Sequence, residues 1–327
     1  MRRLVILLVL ATILVVACGK TNAPQAPNQQ EKITIAQYGH VFLYLPLYVA
    51  KAKGFFSQQG LDVSLVSTGG DEKTFAAVAS GSAQYGVADP VFTAIAREQG
   101  KGGKVVALLV NGVPFWGVTF KKDLKEIATP ADFARLRIAT YPAPSTNYAV
   151  MKETLQNAGK PVKATIVQGA FGTLLALLKS DKADIAMELE PVASIAAAEG
   201  GRVVYSAARK FGDFAFTGIT VTDDHLAKNP KQVQAVVTAI SKAIAYIRSD
   251  FEGALSVAKA EFGDVPEPVL RSALKRLLED NVIPQSAALN EQAWNKSVEL
   301  RRKLGDIKGP AMFTENVDMT FAKQAVK

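Results

Sequence analysis

Residues 181–194, DKADIAMELEPVAS, pass from polar residues through an apolar segment to Glu190 and Pro191. Residues 81–94, GSAQYGVADPVFTA, repeat the plan, ending the apolar segment with Asp89 and Pro90. A short apolar run bounded by turn residues reads as a buried strand. An acid followed by Pro then reads as the start of a helix, with Pro at its first position. In open parallel α/β sheets, ligands bind outside the carboxyl ends of the strands. Asp89 and Glu190 are therefore expected either on the rim of one cleft between two lobes, or as plain helix caps.

Outward from these stretches the chain alternates. Strands are expected at KITIAQY (32–38), LDVSLVST (61–68), QYGVAD (84–89) and KVVALLV (104–110), with helices over 44–60, 70–81 and 90–100. The pattern restarts with strands in FARLRIATY (133–141), VKATIVQ (162–168), DIAMELE (184–190) and RVVYSA (202–207). Helices fall between them, one opened by Ser145 as N-cap and one carrying Phe171, Leu174, Leu175 and Leu178 at i, i+3, i+4, i+7. Strands alternating with helices in this way indicate βαβ units. Two further apolar strands, at 115–120 and within FAFTGITVTDDHL (214–226), are expected to be the crossings between lobes. From Asn229 and Pro230 the chain reads as helical, beginning with a stripe of Val233, Val236, Val237, Ile240, Ile244 and Ile247. These helices are expected to pack back on the first lobe. The division that results is lobe 1 at 32–115 and 221–327, and lobe 2 at 116–220.

The chain opens MRRLVILLVLATILVVACGK. Arg2 and Arg3 precede an apolar run at 4–17, shorter than the ~20 residues a spanning helix needs. Val15-Val16-Ala17-Cys18 resembles a bacterial lipobox, which implies a signal peptide at 1–17 and a lipidated Cys18. The bland alternative is an ordinary secretory signal. Cys18 is the only cysteine, so no internal disulfide can form. Residues 18–31, rich in Pro, Gln and Asn, read as a flexible tether. The expected location is the cell envelope, anchored by lipid to the outer face of the cytoplasmic membrane.

A length of 327 residues accommodates two ordinary domains, and the net charge is +8. The basic residues are scattered, in clusters no longer than Arg301-Arg302-Lys303, which speaks against nucleic acid. With two histidines and one cysteine, a His/Cys metal site has no ligands to draw on, and no cofactor is implied. There is no phosphate-cradling loop and no G-x-S-x-G elbow. Ser256-Val257-Ala258-Lys259 matches S-x-x-K without its partner motifs.

LPLYVAKAKGFFSQQGLDVSLVSTGG, AAVASGSAQYGVAD and QGAFGTLLALLKSDKADIAMELEP resemble, in order and spacing, the substrate-binding proteins for nitrate, sulfonates, taurine and thiamine-pyrimidine precursors, the NMT1/THI5-like family. The resemblance runs from Ile33 into the helix at Asn229. It implies a type II periplasmic-binding-protein fold, two α/β lobes joined by two crossing strands with one ligand in the cleft. It also implies an ABC permease and ATPase as partners of a monomeric binding lipoprotein. The family's Trp-Glu-Pro in the second lobe is here Leu189-Glu190-Pro191.

The strand-end rule selects Tyr38, His40, Phe42 and Tyr44 after the first strand, Thr68 after the second, and Asp89 after the third. In the second lobe it selects Tyr141 with Ser145, Thr146 and Asn147, and then Glu190. Trp116 lies at the first crossing. The aromatics suit the walls around a flat ring. The hydroxyls and free N–H groups at 145–147 suit an oxyanion. A carboxylate at Glu190 favours a heterocyclic or zwitterionic ligand and repels a bare anion. Delivery of such a solute to an importer by hinge closure is the expected function. The alternatives are a sulfonate, taurine or nitrate binder, a sensor lipoprotein, and an enzyme. The yeast pyrimidine-precursor synthases resemble this family but carry a reactive His and a cysteine-rich stretch, and that stretch is absent here.

Overall fold

A computed structural model of the protein describes residues 30–143, 145–156, 160 and 162–325. The signal at 1–17, Cys18 and all but the end of the tether lie outside the described residues. Glu31, expected in the tether, already opens the first strand.

The first lobe is built from β1 (Glu31–Gln37), α1 (Leu45–Ala52), α2 (Phe55–Gln58), β2 (Leu61–Ser67), α3 (Asp71–Ala79), β3 (Tyr85–Ala88), α4 (Phe92–Glu98) and β4 (Gly103–Asn111). The chain then crosses into β5 (Trp116–Thr119), β6 (Arg137–Thr140), α5 (Thr146–Gln156), β7 (Thr165–Gln168), α6 (Leu174–Lys179), β8 (Ile185–Glu188), α7 (Val192–Ala198), β9 (Arg202–Ser206) and α8 (Ala207–Phe211). It returns as β10 (Ala215–Thr222) and ends in helices α9 (Asp223–Lys228), α10 (Pro230–Ser249), α11 (Phe251–Glu261), α12 (Glu267–Glu279), α13 (Glu291–Leu304), α14 (Phe313–Asn316) and α15 (Thr320–Ala325).

The strands form two five-stranded sheets, ordered β2-β1-β3-β10-β4 and β7-β6-β8-β5-β9. In each sheet one strand runs against its neighbours. β10 is antiparallel to β3 and β4, and β5 is antiparallel to β8 and β9. These are the two strands expected as crossings, each inserted into the sheet the chain has just entered. β10 lies wholly in the first sheet, so the return crossing falls before Ala215 rather than at the expected boundary of 220. An apolar run does not say which sheet it pairs with, and the boundary slipped for that reason.

Three expected helices are altered by local chemistry. The helix at 44–60 divides at Gly54, whose φ of 69° is the left-handed conformation that glycine adopts without a steric cost. The helix expected from Phe171 starts only at Leu174, so Phe171 is left outside it. The helix over 90–100 forms, but from Phe92.

The stripe on α10 is the firmest part of the first lobe's core. Val233, Val236, Val237, Ile240, Ile244 and Ile247 are each at most 1% exposed. Full burial of each such side chain contributes about 1.5–3 kcal/mol. α10 packs against α1, α2 and β4. The later helices do not stay on lobe 1 as expected: α12 packs on α7 and α13 touches α5, both in the second lobe.

Candidate functional site

The two lobes enclose a cavity of ≈ 130 Å³ at the carboxyl ends of both sets of strands. The first lobe contributes Tyr38 just after β1, Tyr44 in the turn before α1, Asp71 at the start of α3, Asp89 after β3 and Thr217 on β10. The second contributes Tyr141 after β6, Ser145, Thr146 and Asn147 at the start of α5, and Phe171 and Leu189. Phe115 and Phe216, beside the two crossings, line it as well, and Arg301 enters from α13.

Asp89 closes a local turn and pairs at once. Its Oδ1 accepts from Val91 N at 3.0 Å, and its Oδ2 accepts from Arg301 Nε at 3.0 Å and Nη2 at 2.6 Å. Arg301 Nη2 also donates to Thr146 Oγ1 at 3.2 Å, so one guanidinium joins the lobes across the cavity. Asp71 stands differently. Its Oδ1 accepts from Asp89 N at 3.0 Å, but it has no ion pair among the described residues. Burial, with the negative charge of Asp89 next, pushes its carboxyl up to about 6. The lining thus sets two acids, Asp71 and Asp89, against one guanidinium, which Asp89 binds directly and whose charge also reaches Asp71. The imbalance favours a ligand cation or a set of ligand N–H donors.

The second-lobe wall is aromatic. The Tyr141 hydroxyl donates to Glu188 Oε2 at 2.8 Å, and its ring lies 5.3 Å from that of Phe171 and 6.2 Å from that of Phe115. Burial pushes the Glu188 carboxyl up to about 7. Burial raises the Tyr44 phenol well above its usual range, with the charge of Asp71 adding to the effect. Ser145 does cap α5, its Oγ accepting from Tyr148 N at 3.2 Å. A dry cavity of about 150 Å³ holds one benzene ring, so the space here is enough for a single ring.

Of the residues selected from sequence, Tyr38, Tyr44, Asp89, Tyr141, Ser145, Thr146 and Asn147 come together at this cavity. Five do not. His40 stacks on Phe262 with centroids 4.6 Å apart, and its Nε2 lies 3.0 Å from Glu261 Oε2. Phe42 is in the core, edge-on to Phe262 at 5.2 Å. Thr68 spends its hydroxyl on Gln37 O and Thr74 Oγ1, tying β1, the β2 end and α3 together. Trp116 is fully buried, its Nε1 donating to Asp280 Oδ2 at 2.7 Å. Glu190, expected as the cleft carboxylate, is buried away from it. Its Oε2 accepts from Ser194 N and its Oε1 from Ser194 Oγ, both at 3.0 Å, and it pairs with Arg276 of α12. Capping and ion pairing use up its oxygens.

Sequence reasoning missed Asp71, Phe171 and Arg301. Asp71 comes three residues after Thr68, which the strand-end rule had selected, so a signal existed. Phe171 was assigned to a helix face. Arg301 arrives from far along the chain, and nothing local points to it. Among the described residues no group of three or more His, Cys, Asp or Glu is placed to hold a metal ion, and no helix is long and apolar enough to cross a membrane.

The family model described as NMT1/THI5 like matches residues 42–254. A Bacillus subtilis protein, YtlA, whose name provisionally calls it a binding protein, is 22% identical over 90% of this chain and 89% of its own. A 4-amino-5-hydroxymethyl-2-methylpyrimidine phosphate synthase of Uromyces fabae is 22% identical over 90% and 89%. Among solved structures, the periplasmic aliphatic sulphonate binding protein SsuA of Escherichia coli superposes with a TM-score of 0.70 at 18% identity, covering 90% of this chain and 94% of that one. The periplasmic-binding-protein fold expected from the sequence is therefore the fold of this chain.

Proposed function

Because the chain belongs to the NMT1/THI5-like family, we propose that it is an extracytoplasmic solute-binding protein delivering a small heterocyclic or zwitterionic molecule to an ABC importer. The observation that carries the ligand class is Asp71, a carboxylate without an ion pair among the described residues, set in a largely aromatic cavity of single-ring size. A ring with an exocyclic amine or ring N–H satisfies that carboxylate. Its acceptor edge can face the N–H groups that open α5. A sulfonate or nitrate would meet Asp71 and Asp89, with Arg301 already engaged. Contacts from both lobes exist together only when the cleft is shut, so the ligand stabilises the closed state. Lipid attachment at Cys18, a monomeric state and a place on the outer face of the cytoplasmic membrane belong to the same proposal.

The Uromyces relative supports a second reading, an enzyme acting on a pyrimidine. Against it, neither His40 nor His225 is among the residues lining the cavity, and the sole cysteine is assigned to the anchor. Calorimetric titration with single-ring aminoheterocycles, aromatic amines, taurine, alkyl sulfonates and nitrate tests the ligand class. The expected result is that an amine-bearing ring binds most tightly and is recovered unchanged. A simple oxyanion as tightest ligand refutes the Asp71 argument, and turnover of the ring supports the enzyme.

A further inference from the structure

We propose that Phe171 is a specificity-determining residue, one whose ring covers the open face of a planar ligand and selects flat molecules over acyclic amines of equal charge. The inference rests on the solute-binding reading and extends it. Phe171 lines the cavity, yet it is 55% exposed, one of very few large apolar side chains so placed among the described residues. Its ring leans on Tyr141 at 5.3 Å with a 42° tilt, leaving much of the ring uncovered. Water against that surface is unfavourable, and an apolar ring entering the cavity would displace it.

The side chain is held there by a defined turn. Thr173 N and Oγ1 both donate to Ala170 O, at 3.0 and 2.8 Å, and Gly172 takes a φ of 80°. Gly169 N donates to Thr140 O at 2.9 Å, and a Cβ added at Gly169 would lie 2.8 Å from Leu174 Cδ2, so α6 closes tightly under the turn. This geometry keeps Phe171 out of the α6 core face that Leu174 and Leu178 occupy. It sets the ring beside Tyr141 instead, whose hydroxyl is fixed by Glu188. Aromatic pairs gain energy beyond their buried area only with flat, offset or edge-on partners. A ring stacked on Phe171 draws on that gain, and a flexible chain of the same charge does not.

The test uses 4-amino-5-hydroxymethyl-2-methylpyrimidine and benzylamine as planar probes and n-hexylamine as the acyclic probe, titrated against the wild type, Phe171→Ala and Phe171→Leu. Because Phe171 is exposed, neither substitution threatens folding. The expectation is that wild type binds at least one planar probe, that Phe171→Ala weakens it about tenfold, that Phe171→Leu recovers less than half of the loss on a logarithmic scale, and that n-hexylamine, which loses only non-directional apolar contact, weakens by about threefold or less. In Phe171→Trp the added indole should shift to the blue when the planar probe binds. Planar binding unchanged within twofold in Phe171→Ala overturns this inference and leaves the solute-binding reading standing. Failure of the wild type to bind either planar probe brings down both.

Discussion

Asp71 and Glu190 are both acids near the first turn of a helix, and their neighbours give them different work. Glu190 has Ser194 and Arg276 on its oxygens, whereas Asp71 has one backbone N–H and the negative Asp89 beside it. A pH dependence follows from this. The folded-state pKa of Asp71, about 6, lies above the ordinary carboxylate value of 3.8. The folded protein therefore holds this proton more tightly than the unfolded chain does. The associated stability is present at low pH and is lost as pH rises from about 4 through about 6. Asp71→Asn removes that contribution, so between pH 4 and pH 7 chemical denaturation of the ligand-free protein should show the wild type losing more stability, or gaining less, than the variant. A variant whose slope matches the wild type would show that Asp71 is not the group responsible. The two acid-Pro stretches, read together, gave an acid in the cleft. The cleft does contain Asp89, but the acid with no contact ion pair among the described residues comes one helix earlier, because arginines of α12 and α13 pair directly with both of the acids that the sequence made conspicuous. At Asp71 the charge of Arg301 offsets only part of the effect of burial and of Asp89.

At the scale of elements, the chain uses the same device twice. The acid after β3 holds an arginine of α13, and the acid after β8 holds an arginine of α12. Glu190 also accepts a backbone N–H from the helix it precedes, and Asp89 one from Val91, just before its helix. Asp280, at the end of α12, adds a third tie, accepting from Trp116 Nε1, Ser206 Oγ and Arg209 Nε. Breaking a buried pair by deleting one partner costs about 3–5 kcal/mol. Arg276 is partly exposed, so Glu190→Ala is expected near the lower end, about 3 kcal/mol. Thermal denaturation should show a marked fall in Tm, with ligand affinity kept within about twofold. A tenfold loss of affinity without loss of stability would return Glu190 to the binding site. The strands were legible because apolar runs between turn residues leave few other choices, and β1 to β4 and β6 to β9 fall close to where they were read. The buried face of α10 was legible from its spacing alone. The pairing partners of β10, the shortened start of α6 and the reach of α12 and α13 were not. The pairing of β10 and the reach of α12 and α13 depend on contacts between residues distant in the chain, and the start of α6 on a local turn at residues 170–173, neither of which periodicity encodes.

For the molecule as a whole, the cavity has walls from both lobes and the crossings between them, and Arg301 spans it from Asp89 to Thr146. Under the proposed function, such contacts from both lobes are those expected to favour a shut form. Without ligand, the lobes are expected to spend more time apart, so small-angle scattering should show a larger radius of gyration for the free protein than for the saturated one. An identical radius in both would argue against hinge closure. Ligand at a hundred times its dissociation constant should stabilise the fold by about 2.7 kcal/mol, seen as a rise in Tm. All of this depends on which charge the closed cavity accepts. The most direct measurement is the affinity of the tightest amine-bearing ring ligand from pH 5 to pH 8, in the wild type and in Asp71→Asn. For a ligand cationic throughout that range, wild-type affinity should climb as Asp71 ionises near pH 6 and then level off. In Asp71→Asn it should be at least tenfold weaker at pH 8 and flat across the range. Wild-type affinity that falls with rising pH, or an Asp71→Asn variant that binds as tightly as the wild type, would contradict the account.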